Sequence, residues 1–110
     1  MGATGKSKSN QTTLELQQQL NTMMSDSLQG NSITYDRSVQ EGKKLNKLTE
    51  VGDSFTHTGG SISDDEGVTY TKIADDTWQD EEGGQFGSDG MARIIFGLGY
   101  FGGTWTHRSK

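Results

Sequence analysis

The sequence predicts a small α+β protein: a short antiparallel β-meander with one helix packed on it, preceded by an amphipathic helix and a disordered N-terminus. Three observations carry this. Val51–Trp78 (VGDSFTHTGGSISDDEGVTYTKIADDTW) reads as two β-rich runs around a Gly- and Asp-rich turn. Residues 12–29 carry apolar side chains at helical spacing. Of 110 residues only 28% are hydrophobic while 16 are Gly, which leaves material for one small core at most. The folded part is expected to be nearer half of the chain than all of it.

Residues 1–11 (MGATGKSKSNQ) are small and polar, with nothing to bury, and are expected to form a disordered leader. Gly5-Lys6-Ser7 imitates the end of a phosphate-binding loop but lacks the upstream glycine and strand that motif needs. Residues 12–30 follow as an amphipathic helix. Thr12-x-x-Glu15 fits a capping box, and Gly30-Asn31 supplies a stop. Leu16, Leu20, Met23 or Met24, and Leu28 form one stripe. The stripe either packs on its own domain, as ordinary amphipathicity favours, or docks on another chain, as its narrowness and flexible leader favour.

Residues 31–50 form a connecting strand or helix segment. Ile33 and Tyr35 alternate like a short strand, after which Asp36 is the expected cap of a helix bearing Val39, Leu45 and Leu48. Gly42 in its middle costs about 1 kcal/mol relative to Ala. Residues 51–110 make the β-rich domain, with strands over 51–57 and 68–74. Val68 and Tyr70 face one way, Thr69, Thr71 and Ile73 the other. Turns at Asp75-Asp76-Thr77 and Glu81-Glu82-Gly83-Gly84 lead to very short strands at Trp78 and Phe86. Ser88 or Asp89 then caps a helix carrying Met91, Ile94, Ile95 and Leu98. The last segment, GYFGGTWTHRSK, is a closing strand or an aromatic tail. Trp105 within it is the expected exposed anchor, having little nearby to bury it.

Composition narrows the function. There is no Cys, so disulfides, thiol nucleophiles and Cys-ligated zinc are excluded. No run approaches a membrane span, and no apolar signal core follows the N-terminal lysines. A cytoplasmic or virion-associated place fits, with no classical signal peptide. Residues 51–110 carry ten Asp/Glu against four Lys/Arg, which repels nucleic-acid phosphates.

Asp64, Asp65, Glu66, Asp75, Asp76, Asp80, Glu81 and Glu82 place eight carboxylates within nineteen residues. Turns favour Asp for its side-chain bonding to backbone, and charges keep β-edges apart. Two sharper readings compete: a surrogate for nucleic-acid phosphates, or a divalent-cation site at Asp76, Asp80 and Glu82. The calcium-loop spacing is absent. No catalytic, cofactor-binding or metal residue is assigned. His57 and His107 stand beside no nucleophile motif, and Ser54 and Ser63 lack a G-x-S-x-G context. The acidic loops are expected to be wet. A buried His57 or His107 against a shielded carboxylate in a closed cleft would overturn a non-catalytic reading.

The order Leu45, Leu48, Val51-Gly52-Asp53-x-Phe55, Tyr70-Thr71-Lys72, Asp75/Asp76-x-Trp78, then Ser88 before a short helix, resembles a small β module of phage and mobile-element proteins. The resemblance covers residues 45–96; the long turn at 57–67 departs from the tighter pattern. It implies a structural or accessory module and brings no catalytic residues. The sequence thus points to a non-enzymatic protein–protein interaction module of a phage or mobile element, needing no cofactor. Its partner would be another protein, such as a virion protein, with contacts through Leu16, Leu20, Met23, Met24, Leu28 and Trp105. The alternative is an acidic DNA-mimic inhibitor of a host nucleic-acid-binding enzyme, acting through the eight carboxylates. Neither reading has the chain bind nucleic acid or membrane directly, and oligomeric state is left open.

Overall fold

The computed structural model describes backbone from Gly2 and side chains from residue 11 onward. Of the leader expected over residues 1–11, Met1 and the side chains up to residue 10 lie outside the described residues; the backbone from Gly2 on belongs to α1, and the Gln11 side chain is exposed. Eight elements follow in order: α1 (Gly2–Leu28), α2 (Tyr35–Leu48), β1 (Ser54–Thr58), β2 (Val68–Ala74), β3 (Thr77–Gln79), β4 (Gln85–Phe86), α3 (Ser88–Gly99) and β5 (Thr104–Arg108). The strands form one antiparallel sheet in the order β4-β3-β2-β1-β5. The expected meander is present as β1–β4. Three helices pack with it, not one, so more of the chain is folded than its composition led us to expect.

The first two helices end and begin by identifiable devices. Past α1, Gly30 adopts φ 86° and its N–H donates to the Ser27 carbonyl. The Asn31 N–H reaches the Asp26 carbonyl, completing a Schellman-type stop. Thr12 and Glu15 lie inside α1 rather than capping its start. The short strand expected at Ile33 and Tyr35 does not form. Thr34 caps α2 in place of Asp36, its hydroxyl accepting from the Arg37 N–H at 3.1 Å. Nor does Ser88 or Asp89 cap α3: Gly87 holds that position without a side-chain bond. The Ser88 N–H instead donates to Asp76 Oδ1 at 3.2 Å, and the Ser88 hydroxyl accepts from Trp78 Nε1 at 3.1 Å.

Period-two alternation sorts the sheet into unlike faces. Phe55, His57, Tyr70, Lys72, Trp78, Trp105 and His107 are buried on the inner face. Opposite them, the outer face of β1, β2 and β5 carries Ser54, Thr56, Thr58, Thr69, Thr71, Ile73, Thr104, Thr106 and Arg108. Leu16, Leu20 and Met23 of α1, Leu45 of α2, and Met91, Ala92, Ile95 and Phe96 of α3 complete the core.

The structure therefore corrects the expected contact residues of both α1 and the C-terminal segment. Leu16, Leu20 and Met23 have no exposed surface, and Met24 packs on the core, so the α1 stripe is spent on its own domain. Of that stripe only Leu28 is exposed. The aromatic tail is β5, and Trp105 is fully buried rather than an exposed anchor. It lies against His57 and Tyr70, with ring centroids 5.1 and 5.9 Å away.

Strand direction gives the molecule two ends. The β1–β2 loop, the β3–β4 turn and the α3–β5 loop lie at one end, here called apical. The α1–α2 connection lies there too. The Ser27 hydroxyl donates to the Phe96 carbonyl, and the Arg37 guanidinium stacks 4.8 Å from the Phe96 ring centre. The basal end holds the β2–β3 turn, where Asn46 of α2 bonds Asp75 and the Asp76 N–H.

Candidate functional site

Both histidines sit on the inner sheet face, each opposite an aromatic of the neighbouring strand: His57 pairs with Trp105 and His107 with Phe55. His57 is fully buried. Its Nε2 lies 2.7 Å from the Gly102 carbonyl, which can only accept, so Nε2 carries the proton in the neutral ring. Nδ1 then accepts from the Ser63 hydroxyl, 2.7 Å away. One imidazole thus clamps the β1–β2 loop to the α3–β5 loop. The Ser61 N–H adds a third tie, donating to the Phe101 carbonyl at 3.0 Å. Gly103 makes the approach possible: it has φ 87°, and a Cβ there would lie 2.8 Å from His57 Nε2.

His107 meets a shielded carboxylate. Its Nε2 lies 3.2 Å from Asp53 Oδ2, with side-chain exposures of 2% and 8%. Asp53 also accepts from the Glu50 N–H through Oδ2 and from the Lys110 N–H through Oδ1. This contact is half of what would overturn a non-catalytic reading. An open groove of about 320 Å³ lies between α1 and α2, lined by Glu15, Gln18, Gln19, Thr22, Glu41, Lys44 and Leu48, with neither histidine in its wall. His107 Nδ1 is buried without a partner. The pair anchors the end of β5 to the turn before β1.

Lys72 also faces inward. Its ammonium donates to the carbonyls of Asn46 and Thr49 and to the Thr49 hydroxyl, at 2.8, 2.9 and 3.1 Å. It thereby satisfies carbonyls at the C-terminus of α2, where a cation is favoured. Burial lowers its pKa from the ordinary lysine value, against the opposing charges of Asp75, Asp53, Asp76 and Glu50. Burial raises the Tyr70 pKa above 10.0, and the charges of Asp80 and Glu81 raise it further.

These two shifts act oppositely on stability. In the pH window below 10.5 the unfolded chain holds the Lys72 proton more tightly, so stability gains from that group as pH rises. Above pH 10.0 the folded chain holds the Tyr70 proton more tightly, so stability falls as pH climbs toward the raised value. Tyr70→Phe is expected to flatten the fall in melting temperature above pH 10.0, measured by circular dichroism. An unchanged alkaline slope would rule out this origin.

The eight acidic residues do not form one cluster. Asp64, Asp65, Glu66, Asp80, Glu81 and Glu82 lie at the apical end, Asp75 and Asp76 at the basal end. Several organise their own turns. Asp64 Oδ1 accepts from the Gly67 N–H, and Asp80 Oδ1 from the Glu82 and Gly84 N–H groups. Asp76 Oδ1 is taken by the Ser88 N–H. Among the described residues no group of three His, Asp or Glu is placed to hold a metal ion.

Exposed apolar side chains are distributed unevenly as well. Among the described residues, seven large ones are exposed: Leu14, Leu28, Tyr35, Val51, Ile62, Tyr100 and Phe101. Leu28, Tyr35, Ile62, Tyr100 and Phe101 all belong to the apical end. Tyr100 and Phe101 meet edge to face at 5.4 Å, 60% and 44% exposed. The sequence pattern singles out neither Ile62 nor the Tyr100-Phe101 pair, which it places only in a closing strand or aromatic tail. The available signal was their place in glycine-rich loops, GGSIS and GYFGG, with no following apolar run to cover them. No helix among the described residues is long and apolar enough to cross a membrane. No family model, curated protein or solved structure matches the chain.

Proposed function

We propose that this chain is a non-enzymatic protein–protein interaction module and that its apical end is the contact surface. The observation that carries the reading is the gathering of Leu28, Tyr35, Ile62, Tyr100 and Phe101 at one end of a molecule whose other apolar side chains are largely consumed by the core. Exposed aromatics on pinned loops supply contact area at little ordering cost. Both imidazoles are occupied or enclosed, which supports a non-catalytic role. A place as accessory or structural component of a phage or similar mobile element, cytoplasmic or virion-associated, rests on the V-G-D, Y-T-K and D-x-W resemblance.

The DNA-mimic alternative draws on the six apical carboxylates. Against it stand the basal position of Asp75 and Asp76, the engagement of Asp64 and Asp80 in their own turns, and the bond from the Ser88 N–H to Asp76. The two readings differ in salt response. Phosphate mimicry should collapse between about 50 and 200 mM salt, whereas apolar docking persists.

The decisive comparison pairs Tyr100→Ser/Phe101→Ser with Leu14→Ser, an exposed side chain next to Thr13, whose hydroxyl meets that of Ser109 just past the basal end of β5. A partner captured saturably by the parent chain is expected to be lost by the apical variant, about tenfold or more in affinity, and retained by the basal one. Equal capture by both variants would remove the apical end from consideration.

A further inference from the structure

The apical end also specifies the chemistry of what it meets. Its three sheet-side loops, residues 59–67, 80–84 and 100–103, contain six carboxylates and no Lys or Arg. Arg37, the cation of the α1–α2 corner, is engaged by Asp26 at 2.7 Å and Glu41 at 3.2 Å. Lys43, Lys44 and Lys47 lie on the half of α2 that runs toward the basal end. Ile62 is followed directly by Ser63 and then Asp64, Asp65 and Glu66, so acid borders the apolar tip along the same loop. The His57 clamp and the Ser61–Phe101 bond fix this loop to the one bearing the aromatics. Apolar and anionic parts are therefore presented together.

We infer that the apical end receives a helical segment of another protein, whose apolar face covers Ile62, Tyr100 and Phe101 and whose lysines or arginines border that face and meet the Asp64–Glu66 rim. This deepens the apical-contact reading and rests on it. The charge pattern selects the partner. Nucleic acid and anionic membrane present phosphates, which six uncompensated carboxylates repel. A cationic amphipathic helix instead satisfies both halves of the surface, its apolar face supplying affinity and its charges orientation and approach rate.

The test uses the full chain, ¹⁵N-labelled, titrated with an amphipathic peptide of about 18 residues bearing leucine on one face and lysine on the other. Its counterpart carries glutamate in place of lysine, and uncharged phosphatidylcholine vesicles form a third arm. The lysine peptide is expected to shift amides in residues 59–67 and 100–103 and to bind at least tenfold more tightly than the glutamate peptide at about 50 mM salt. Asp64→Asn/Asp65→Asn/Glu66→Gln should weaken it severalfold, and Tyr100→Ser/Phe101→Ser should abolish it. Equal binding of the two peptides, shifts confined to the α1–α2 groove, or binding to vesicles alone would overturn the inference. If the aromatic substitutions abolish binding while the acidic ones change nothing, the cationic partner is wrong and the apical contact surface stands. If neither matters, both fall.

Discussion

Trp105→Ala is expected to unfold a large share of the molecule rather than to weaken binding by a folded one. The indole is fully buried, reaching inward from the edge strand β5 to pack against the rings of His57 and Tyr70 on the inner sheet face. Truncating a buried tryptophan costs about 3–5 kcal/mol, through lost transfer energy and the cavity left behind. Domains of this size hold only about 5–15 kcal/mol in total. The melting temperature should therefore drop by roughly 15–25 °C, followed by circular dichroism. Trp105→Phe separates packing from polarity. Trp105 Nε1 is buried with no acceptor, so phenylalanine removes an unpaired donor while keeping most of the apolar area. It should cost far less than alanine, under about 1.5 kcal/mol. If Trp105→Ala melts like the parent chain, the placement of β5 in the sheet is wrong.

That result bears on how a binding assay is read. Leu20→Asp follows naturally from treating the α1 stripe as a docking face, yet Leu20 has no exposed surface. A carboxylate buried in that apolar core would destabilise the fold, so any loss of binding would carry no information about a contact. Tyr100, Phe101 and Ile62 stand outside the core, and their substitution leaves the packing intact.

Local pattern was legible in this chain wherever the interaction is local. The α1 stripe, the stop at Gly30-Asn31, the strands flanking the 59–67 loop and the short apolar helix after Gly87 follow from spacing and turn chemistry. What covers each face was not legible, because amphipathicity says that a stripe is buried but not against what. Trp105 illustrates the loss. Its strand pairs with β1, about fifty residues away in sequence, and nothing near it in the chain hints at that neighbour. A signal did exist. β1 reads Ser-Phe-Thr-His-Thr and β5 reads Thr-Trp-Thr-His-Arg, the same polar–aromatic–Thr–His alternation. Antiparallel pairing of two such segments sets each imidazole against the other strand's aromatic. The His57 clamp was hidden for a related reason. Ser63 lies in the following loop, but the Gly102 carbonyl comes from a distant one, and backbone acceptors leave no mark in sequence.

Gly42 is where local preference and tertiary packing give opposite predictions. As a mid-helix glycine it costs α2 about 1 kcal/mol relative to alanine, so propensity alone favours Gly42→Ala. Yet Gly42 is buried where α3 begins, and a Cβ there would lie 2.6–2.8 Å from backbone atoms of Ser88 and Asp89. Backbone cannot rotate aside as a side chain does. Ser88 is further held by its N–H bond to Asp76 and its hydroxyl bond from Trp78. Ser38 sits one turn earlier on the same buried face, another small residue that lets the two helices approach. Overpacking a site of this kind costs about 1–3 kcal/mol, enough to cancel or exceed the propensity gain for alanine. Valine adds two methyl groups and β-branching to the same collision, so Gly42→Val is expected to lose several kcal/mol, about the cost of truncating a core side chain. Gly97 supplies the control, in the interior of α3 and exposed, with open space where its Cβ would stand. Gly97→Ala should stabilise by about 0.5–1 kcal/mol. Denaturant melts of the three variants decide the matter. Stabilisation by both alanine substitutions would mean that α2 and α3 do not meet at Gly42. A loss at Gly42 beside a gain at Gly97 would show that this glycine is kept for the contact and not for flexibility.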